Sequence, residues 1–486
     1  MTTEAPFYGK FIKKTGRREP DIGQKKDRND IPGKKPASSH SGSSRIDRAK
    51  AASRSAECRN TSGSAPQGSS CRLGTPVFAE LTREACSILE HFPNIIERVL
   101  SLDSKKRQGL PQHIHTLFHE LTDERSSRKA HYLNNPVKLS AYTHYYMWWN
   151  LVRLTKLLQN LDMRLESGDC AADFGSGPLT FICALWIAKP ELRAKSLTWY
   201  CVDISNKALA FGEEIFLALC AYTGQNSGEA AAPWRIKKIC GSFGIPLNEK
   251  AALVTEANMF NEIFWDSRLS LDEQAEKAQS LIARYLKPDG SVLLIEPGIP
   301  LAGEFLSLIR SRFLKAGFSV TAPCPHRIQC CFPNRRPAEK TGNIPAAYNK
   351  WCHFTFTTSD SPKNLLHLSD SAQLGKERAS LSFLYCSAPE SPLSVPDGKE
   401  AESAFKNKLP VRICSDIIMP EPQRIGRYAC SARGFMFITG PAYKESVLNT
   451  AVSGSLLLLP AQLIREQERD KKTGALLVRL DLSLSK

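Results

Sequence analysis

Two groups of residues in this chain have the types and spacing that chemistry needs. The first is Asp173-Phe174-Gly175-Ser176-Gly177, with a second acid, Asp203, further along. Glycines in a tight turn let the backbone come close to a ligand at the amino end of a helix. An acid at the tip of the following strand accepts both hydroxyls of a ribose. Together they point to a nucleotide-like ligand held by Asp173, Gly175, Gly177 and Asp203. The second group is sulfur. Cys324 and Cys330 stand six residues apart in a loop broken by Pro323 and Pro325, followed by Trp351-Cys352-His353-Phe354 and by Cys430 in Arg427-Tyr428-Ala429-Cys430. Two thiols from one loop, a third from Cys352 and a fourth from Cys430 would complete a four-thiolate site, which suits an iron-sulfur cluster or zinc. The spacing matches neither the paired C-x2-C of a zinc ribbon nor the ferredoxin run, so iron-sulfur, zinc and no metal all stay open. Cys170, Cys183, Cys201 and Cys220 lie in apolar segments and read as small hydrophobes.

These residues need a scaffold. Apolar residues recur at three and four over 78–89, 93–102, 112–123 and 139–161, which predicts a helical layer. The last of these carries Tyr142, Tyr145, Tyr146, Trp148 and Trp149. Core packing accounts for that stripe, with base stacking by one or two exposed rings as the alternative. His115 and His119 share a helix face without the acid of a metalloprotease helix. From residue 169 the pattern alternates: strands over 169–174, 197–203, 251–258, 291–296 and 318–322, with helices over 179–188, 207–222, 271–286 and 305–316 between them. That alternation predicts an α/β fold with a doubly wound, Rossmann-like sheet. The strand ends then bring Asp173, Gly175, Gly177 and Asp203 to one edge. Glu262, after the fourth strand, reads equally as a pocket residue or as a charge at a helix start.

The position after the second glycine that a dinucleotide site fills with a third glycine is Thr180 here, while an acid opens the motif. Asp173 to Gly177 thus resembles the D-x-G-x-G loop of class I S-adenosylmethionine-dependent methyltransferases. The resemblance implies that the glycine backbone beds the methionine moiety and that Asp203 binds the ribose. Ala322-Pro323-Cys324-Pro325-His326, the C-x5-C offset, Trp351-Cys352-His353-Phe354 and Leu294-Ile295-Glu296-Pro297-Gly298 together resemble the small-ribosomal-subunit methyltransferase-like family of bacteria and mitochondria. It covers about residues 130–440. It implies S-adenosylmethionine as cofactor, the small ribosomal subunit and its rRNA as partners during assembly, and a 4Fe-4S cluster on Cys324, Cys330, Cys352 and Cys430. Cys331 is the rival to Cys330, whose offset fits. Cys386 and Cys414, in strand-like stretches, read as core, and His326 and His353 as hydrogen-bond partners of the cluster or nearby backbone, with direct ligation as the alternative. The family reads G-x-G-P-G-T at the turn, where this chain has Leu179 in place of the third Gly.

No catalytic residue emerges. An Asn or Asp followed by two prolines, the mark of amino-group methylases, is absent from Glu256-Ala257-Asn258-Met259-Phe260-Asn261, and no Pro-Cys nucleophile follows the fourth strand. Two functions stand: an RNA methyltransferase acting on small-subunit rRNA, towards which the fold leans, and a non-catalytic iron-sulfur assembly factor that binds rRNA on the same fold. Charge favours a nucleic-acid partner for both. The chain has 65 Lys and Arg against 49 Asp and Glu, a net +16. Residues 1–76 hold 16 against 7, a net +9, in a Ser, Gly and Pro background without apolar periodicity. Arg335, Arg336, Lys340 and Lys350 between the cysteine motifs, with Arg424, Arg427 and Arg433, add candidate phosphate contacts. No apolar run reaches the roughly 18 residues of a membrane span. The expected organisation is a disordered basic arm over 1–76, a helical region over 77–165, a cofactor-binding domain over 166–322, a metal-binding region over 323–440 with a basic insertion, and strands over 441–486. The expected setting is a bacterial cytoplasm, with the mitochondrial matrix as alternative, and a monomer when free.

Overall fold

A computed structural model describes residues 72–122, 131–227, 233–263, 268–332, 350–391, 408–443 and 446–481. The basic arm up to residue 71, and Arg335, Arg336 and Lys340, lie outside the described residues.

A short strand, β1 (Arg72–Leu73), and four helices precede the first sheet. In α1 (Arg83–Val99) Thr82 caps the amino end, its hydroxyl accepting from Ala85 N at 3.2 Å. The apolar stripe Ala85, Ile88, Leu89, Phe92, Ile95, Ile96 runs straight through Pro93, so one helix stands where the sequence pattern predicts two. A proline forfeits one helical hydrogen bond, and here six buried side chains outweigh that loss. α2 (Ser104–Thr122) likewise runs through Pro111. Asn135 caps α3 (Pro136–Ala141), which passes through a π-helical turn, Tyr142–Met147, into α4 (Trp148–Gln159). Trp148 Nε1 donates to Leu89 O at 2.9 Å, locking α4 onto α1. Tyr145, Trp148 and Trp149 are buried and Tyr142 and Tyr146 half-buried, so core packing accounts for most of the stripe.

The first sheet follows. β2 (Cys170–Phe174), α5 (Thr180–Ala188), β3 (Thr198–Asp203), α6 (Asn206–Ser227) and β4 (Arg235–Cys240) build one wing. β5 (Ala251–Ala257), α7 (Phe260–Ile263), α8 (Leu271–Tyr285), β6 (Leu286–Pro297), α9 (Pro300–Lys315) and β7 (Ser319–Ala322) build the other. Two further strands, β8 (Phe354–Thr357) and β9 (Arg378–Ser387), complete it, with α10 (Lys363–Ser371) between them. The strand order is β4-β3-β2-β5-β6-β9-β7, with β8 on β9. The first five strands are parallel, and β9 runs antiparallel between β6 and β7. This is a doubly wound, Rossmann-like sheet, and its strand order reverses between β2 and β5, where such sheets bind ligands. All five residues of β2 are buried. β6 continues through Lys287–Gly290, where the sequence predicts a turn, and absorbs the difference as a register shift against β5. The last sheet strand within the expected 166–322 segment is therefore not the last strand of the sheet, since 354–387 supply two more.

The second sheet is rich in antiparallel pairs. β10 (Lys408–Ile413), β11 (Ile418–Glu421), β12 (Arg424–Ser431), β13 (Gly434–Pro441), β14 (Leu456–Pro460), β15 (Ile464–Arg469) and β16 (Leu476–Arg479) join β1 in the order β1-β14-β10-β12-β13-β16-β15, with β11 on β12. Among its described strands only β13 and β16 pair in parallel. It is fastened to the first sheet by Thr355 N donating to Ser453 Oγ at 3.1 Å and Arg412 Nε donating to Pro323 O at 2.8 Å. Among the described residues no helix is long and apolar enough to cross a membrane.

Candidate functional site

The turn after β2 is built from backbone that bends the left-handed way at three positions. Gly175 (φ +68°) and Gly177 (φ +50°) do so freely, and a side chain on Gly175 would meet Met259 Cβ at 2.7 Å. Leu179 (φ 55°) does so at a cost of roughly 1–2 kcal/mol, which its complete burial offsets. Behind the turn, Gly212 on α6 faces Pro178 so closely that a Cβ there would stand 2.3 Å from the Pro178 carbonyl carbon. The two acids play different parts. Asp173 is buried beneath the turn, with Oδ1 accepting from Thr255 Oγ1 of β5 at 2.7 Å, and burial pushes its carboxyl up to about 7. Asp203 stands at the tip of β3, where Oδ2 accepts from Gly177 N at 2.9 Å and Oδ1 from Ser205 N at 2.7 Å; burial raises it too. Each Asp203 oxygen keeps a free lone pair for a ligand.

The helical layer roofs this edge. Asn134 Oδ1 accepts from Ser205 Oγ at 2.7 Å, and His131 Nδ1 meets Ile204 O at 3.0 Å. Leu133 covers Gly177. Tyr142, opening the π-helical turn, lies within electrostatic reach of both Glu262 and Asp203; burial, then those charges, push its hydroxyl well up. π-helical turns recur at functional sites. Glu262 itself is exposed on α7. The segment after β5 is tied inwards: Glu256 Oε2 accepts from Met259 N at 3.1 Å, and Glu296 Oε2 from Asn261 N at 3.0 Å. Both glutamates are buried side by side, each with an Oε1 that finds no further partner. Burial pushes Glu256 up to about 8, and burial with the neighbouring Glu256 charge pushes Glu296 well up.

The cysteines converge where the two sheets meet. Cys324 follows β7, Cys330 and Cys331 follow six and seven residues later, Cys352 precedes β8, and Cys430 sits on β12. Cys352 feels Cys430, Cys324 and Cys330, so the four expected residues do share one neighbourhood. It is positioned by Gly303 of α9, whose missing side chain admits Trp351 and the Cys352 carbonyl, and by Ser382 Oγ donating to Cys352 O at 2.7 Å. Two more sulfurs join. Cys331 and Cys414 lie in hydrogen-bond reach of Cys430, which holds Cys430 well below the ordinary thiol range and pushes Cys331 and Cys414 well above it. Cys414, expected as plain core, thus belongs to the sulfur group. Burial pushes Cys324 up to about 12, although Arg310 Nε donates to its sulfur at 3.2 Å. His353 turns away, its Nδ1 meeting Trp351 O at 3.1 Å, whereas His326 lies against Cys430 with Nδ1 buried and without a partner. Among the described residues no three His, Cys, Asp or Glu side chains stand in metal-holding geometry.

Residues 136–396, more than half the chain, match the family model described as Mitochondrial small ribosomal subunit Rsm22. The chain belongs to that family. No curated protein matches. Among solved structures, a S-adenosylmethionine-dependent methyltransferase from Clostridium acetobutylicum is 16% identical, with 36% of this chain and 56% of that one covered and a TM-score of 0.20. A complex of the Trm112 methyltransferase activator of Haloferax volcanii with a putative methyltransferase gives 16%, 50%, 89% and 0.26. The O-methyltransferase NcsB1 of neocarzinostatin biosynthesis gives 18%, 39%, 55% and 0.28. At these values the fold of this Rsm22-family chain rests on its own strand order. Gly212, Tyr142, Glu256 and Cys414 are the site residues that sequence reading missed; only a tertiary contact marks the first three, and Cys414 carries no spacing signal.

Proposed function

We propose that this Rsm22-family chain binds S-adenosylmethionine at the β2–β3 edge and works on the small ribosomal subunit and its rRNA during assembly. The observation that carries this is the glycine turn bonded to Asp203 at the reversal point of the sheet. When bound, the cofactor supplies an electrophilic methyl group. The residues present prepare the place: Gly175 and Gly177 clear the backbone, Asp203 offers lone pairs to ribose hydroxyls, and the segment 131–134 lies over the edge through Asn134 and His131. The family's description favours the mitochondrial matrix over the bacterial cytoplasm. Organisation into a basic arm, a helical region, a cofactor domain and a metal-bearing region is part of the same proposal.

A metal centre on Cys324, Cys330, Cys352 and Cys430 is proposed alongside, a 4Fe-4S cluster first and zinc second. Its support is the convergence of thiols from separate chain segments around two buried, unpartnered nitrogens, Arg310 Nη1 and His326 Nδ1. Such a centre would supply a rigid tie between the two sheets. The second function, a binding factor without methyl transfer, is favoured by one observation: the segment after β5, where amino-methylases place their acceptor-binding motif, is held inwards by Glu256 and Glu296. Incubation of the purified chain with labelled S-adenosylmethionine and small-subunit particles separates the two. Label transferred to rRNA supports the enzyme; tight particle binding with bound, untransferred cofactor supports the factor; absence of both overturns the proposal.

A further inference from the structure

Two arginines flank the sulfur group, and no carboxylate among the described residues answers their charge. Arg310, on α9 of the first sheet's outer layer, is 2% exposed. Its Nε donates to Cys324 Sγ at 3.2 Å and Nη2 to His326 O at 2.8 Å, while Nη1 is buried with no partner. The ionisable groups that bear on it are Cys324, Cys330 and Cys386. Arg412, on β10 of the second sheet, pairs in register with Cys430, which puts their Cβ atoms about 5 Å apart. It donates to three carbonyls, Pro323 O at 2.8 Å, Gly454 O at 2.9 Å and Thr75 O at 3.3 Å. Its ionisable neighbours are Cys430, Cys414, Cys324 and Cys352.

A guanidinium keeps its charge under any ordinary condition, and a buried charge without a counter-charge is costly. Carbonyl oxygens satisfy N–H groups but leave the charge unbalanced. Thiols are the remaining source of negative charge around both side chains. Four thiolates around a zinc ion or a 2+ iron-sulfur core sum to a charge of about −2, the complement of two arginines. Resting on the metal-centre reading above, we infer that Arg310 and Arg412 are the counter-cations of that centre, one from each sheet, and that they set its charge balance as positioning residues. Arg310 Nη1 is the donor left over for a sulfur of the bound group.

The same arginines also stitch the cysteine loop through His326 O and Pro323 O, so the test must separate charge from stitching. Anaerobically purified full-length protein is compared with Arg310→Lys, Arg310→Met, Arg412→Lys and Arg412→Met for metal content and either midpoint potential or zinc release to a chelator. A counter-cation stabilises the more negative, reduced cluster, so each Met variant should lower the midpoint potential, a tenfold loss corresponding to about 59 mV for one electron. For zinc, release should become at least tenfold easier. Each Lys variant, which keeps the charge but loses the fork, should stay near wild type. Equal effects of Lys and Met, or a Met variant with wild-type potential and retention, would overturn the inference. If Arg310→Met does not fold, Arg412→Met decides alone. Wild-type protein without metal would overturn the metal-centre reading itself, an outcome distinct from metal-bearing protein that ignores both arginines.

Discussion

Asp203 accepts from two main-chain N–H groups before any ligand arrives, so it holds the turn beside the proposed ribose site. Asp203→Ala should therefore weaken S-adenosylmethionine binding by about 2–3 kcal/mol, read by calorimetry, through lost charge-assisted bonds. Unchanged affinity would remove Asp203 from the pocket. Gly212 offers a cleaner probe because it touches no ligand. Gly212→Ala would press a methyl into Pro178, an overpacking worth roughly 1–3 kcal/mol, and should lower the melting temperature and the cofactor affinity together. Leu179 shows how two effects are weighed at one residue. Leu179→Gly would release about 1–2 kcal/mol of backbone strain, yet emptying a fully buried leucine site costs roughly 3–5 kcal/mol, so the variant should be less stable.

At the next scale, the ends of β5 and β6 place Glu256 and Glu296 against each other, with Asp173 on β2 close by. Met259 N and Asn261 N face them from the following segment. Both glutamates hold their protons more tightly folded than unfolded. Stability is therefore full below about 4.5, the ordinary glutamate value, and is lost as pH rises through about 8, by roughly 1.4 kcal/mol per pH unit and proton. Glu256→Gln should flatten that slope in denaturant titrations at pH 6 and pH 9; an unchanged slope would show that the pair does not share a proton. The sequence made much of this architecture legible. Apolar strands ending in Asp173 and Asp203 are unmistakable, and α8 begins with the Ser270 and Glu273 capping box. β4 was illegible because Arg235-Ile236-Lys237-Lys238 is half exposed at a sheet edge and reads as polar loop. The continuity of α1 through Pro93 and of β6 through Pro288 was illegible for a shared reason: local breakers lose to long-range pairing and burial. The sulfur group was legible in four members, since their neighbours Pro, Trp and His set them apart, while Cys414 looked like any buried cysteine.

Across the whole molecule, the proposed cysteine centre would tie the two sheets together. Cys324→Ser, Cys352→Ser or Cys430→Ser should lose bound metal and make the chain beyond about 320 sensitive to protease, while Cys183→Ser, a residue of the buried α5, should keep wild-type metal. Fully protected, metal-free wild type would refute the centre. Removing the basic arm is best done at residue 68, because Leu73 pairs with β14 and Thr75 O accepts from Arg412. Residues 1–68 hold 15 Lys and Arg against 7 Asp and Glu, a net +8. Their deletion should weaken binding to ribosomal RNA and shallow its salt dependence; an identical slope would show that the arm makes no phosphate contact.

The place of β9 has a consequence for synthesis. It enters between β6 and β7, although it is made after both and after the loop bearing Cys324, Cys330 and Cys352. While the ribosome is still adding those residues, β6 and β7 have no partner between them and their backbone edges stay open. The nascent sheet must wait for residue 387 before it can close, and by then three of the thiols already hang in the loop being sealed. A chain stopped at residue 322 should aggregate through the two open edges, whereas one stopped at 391 should not.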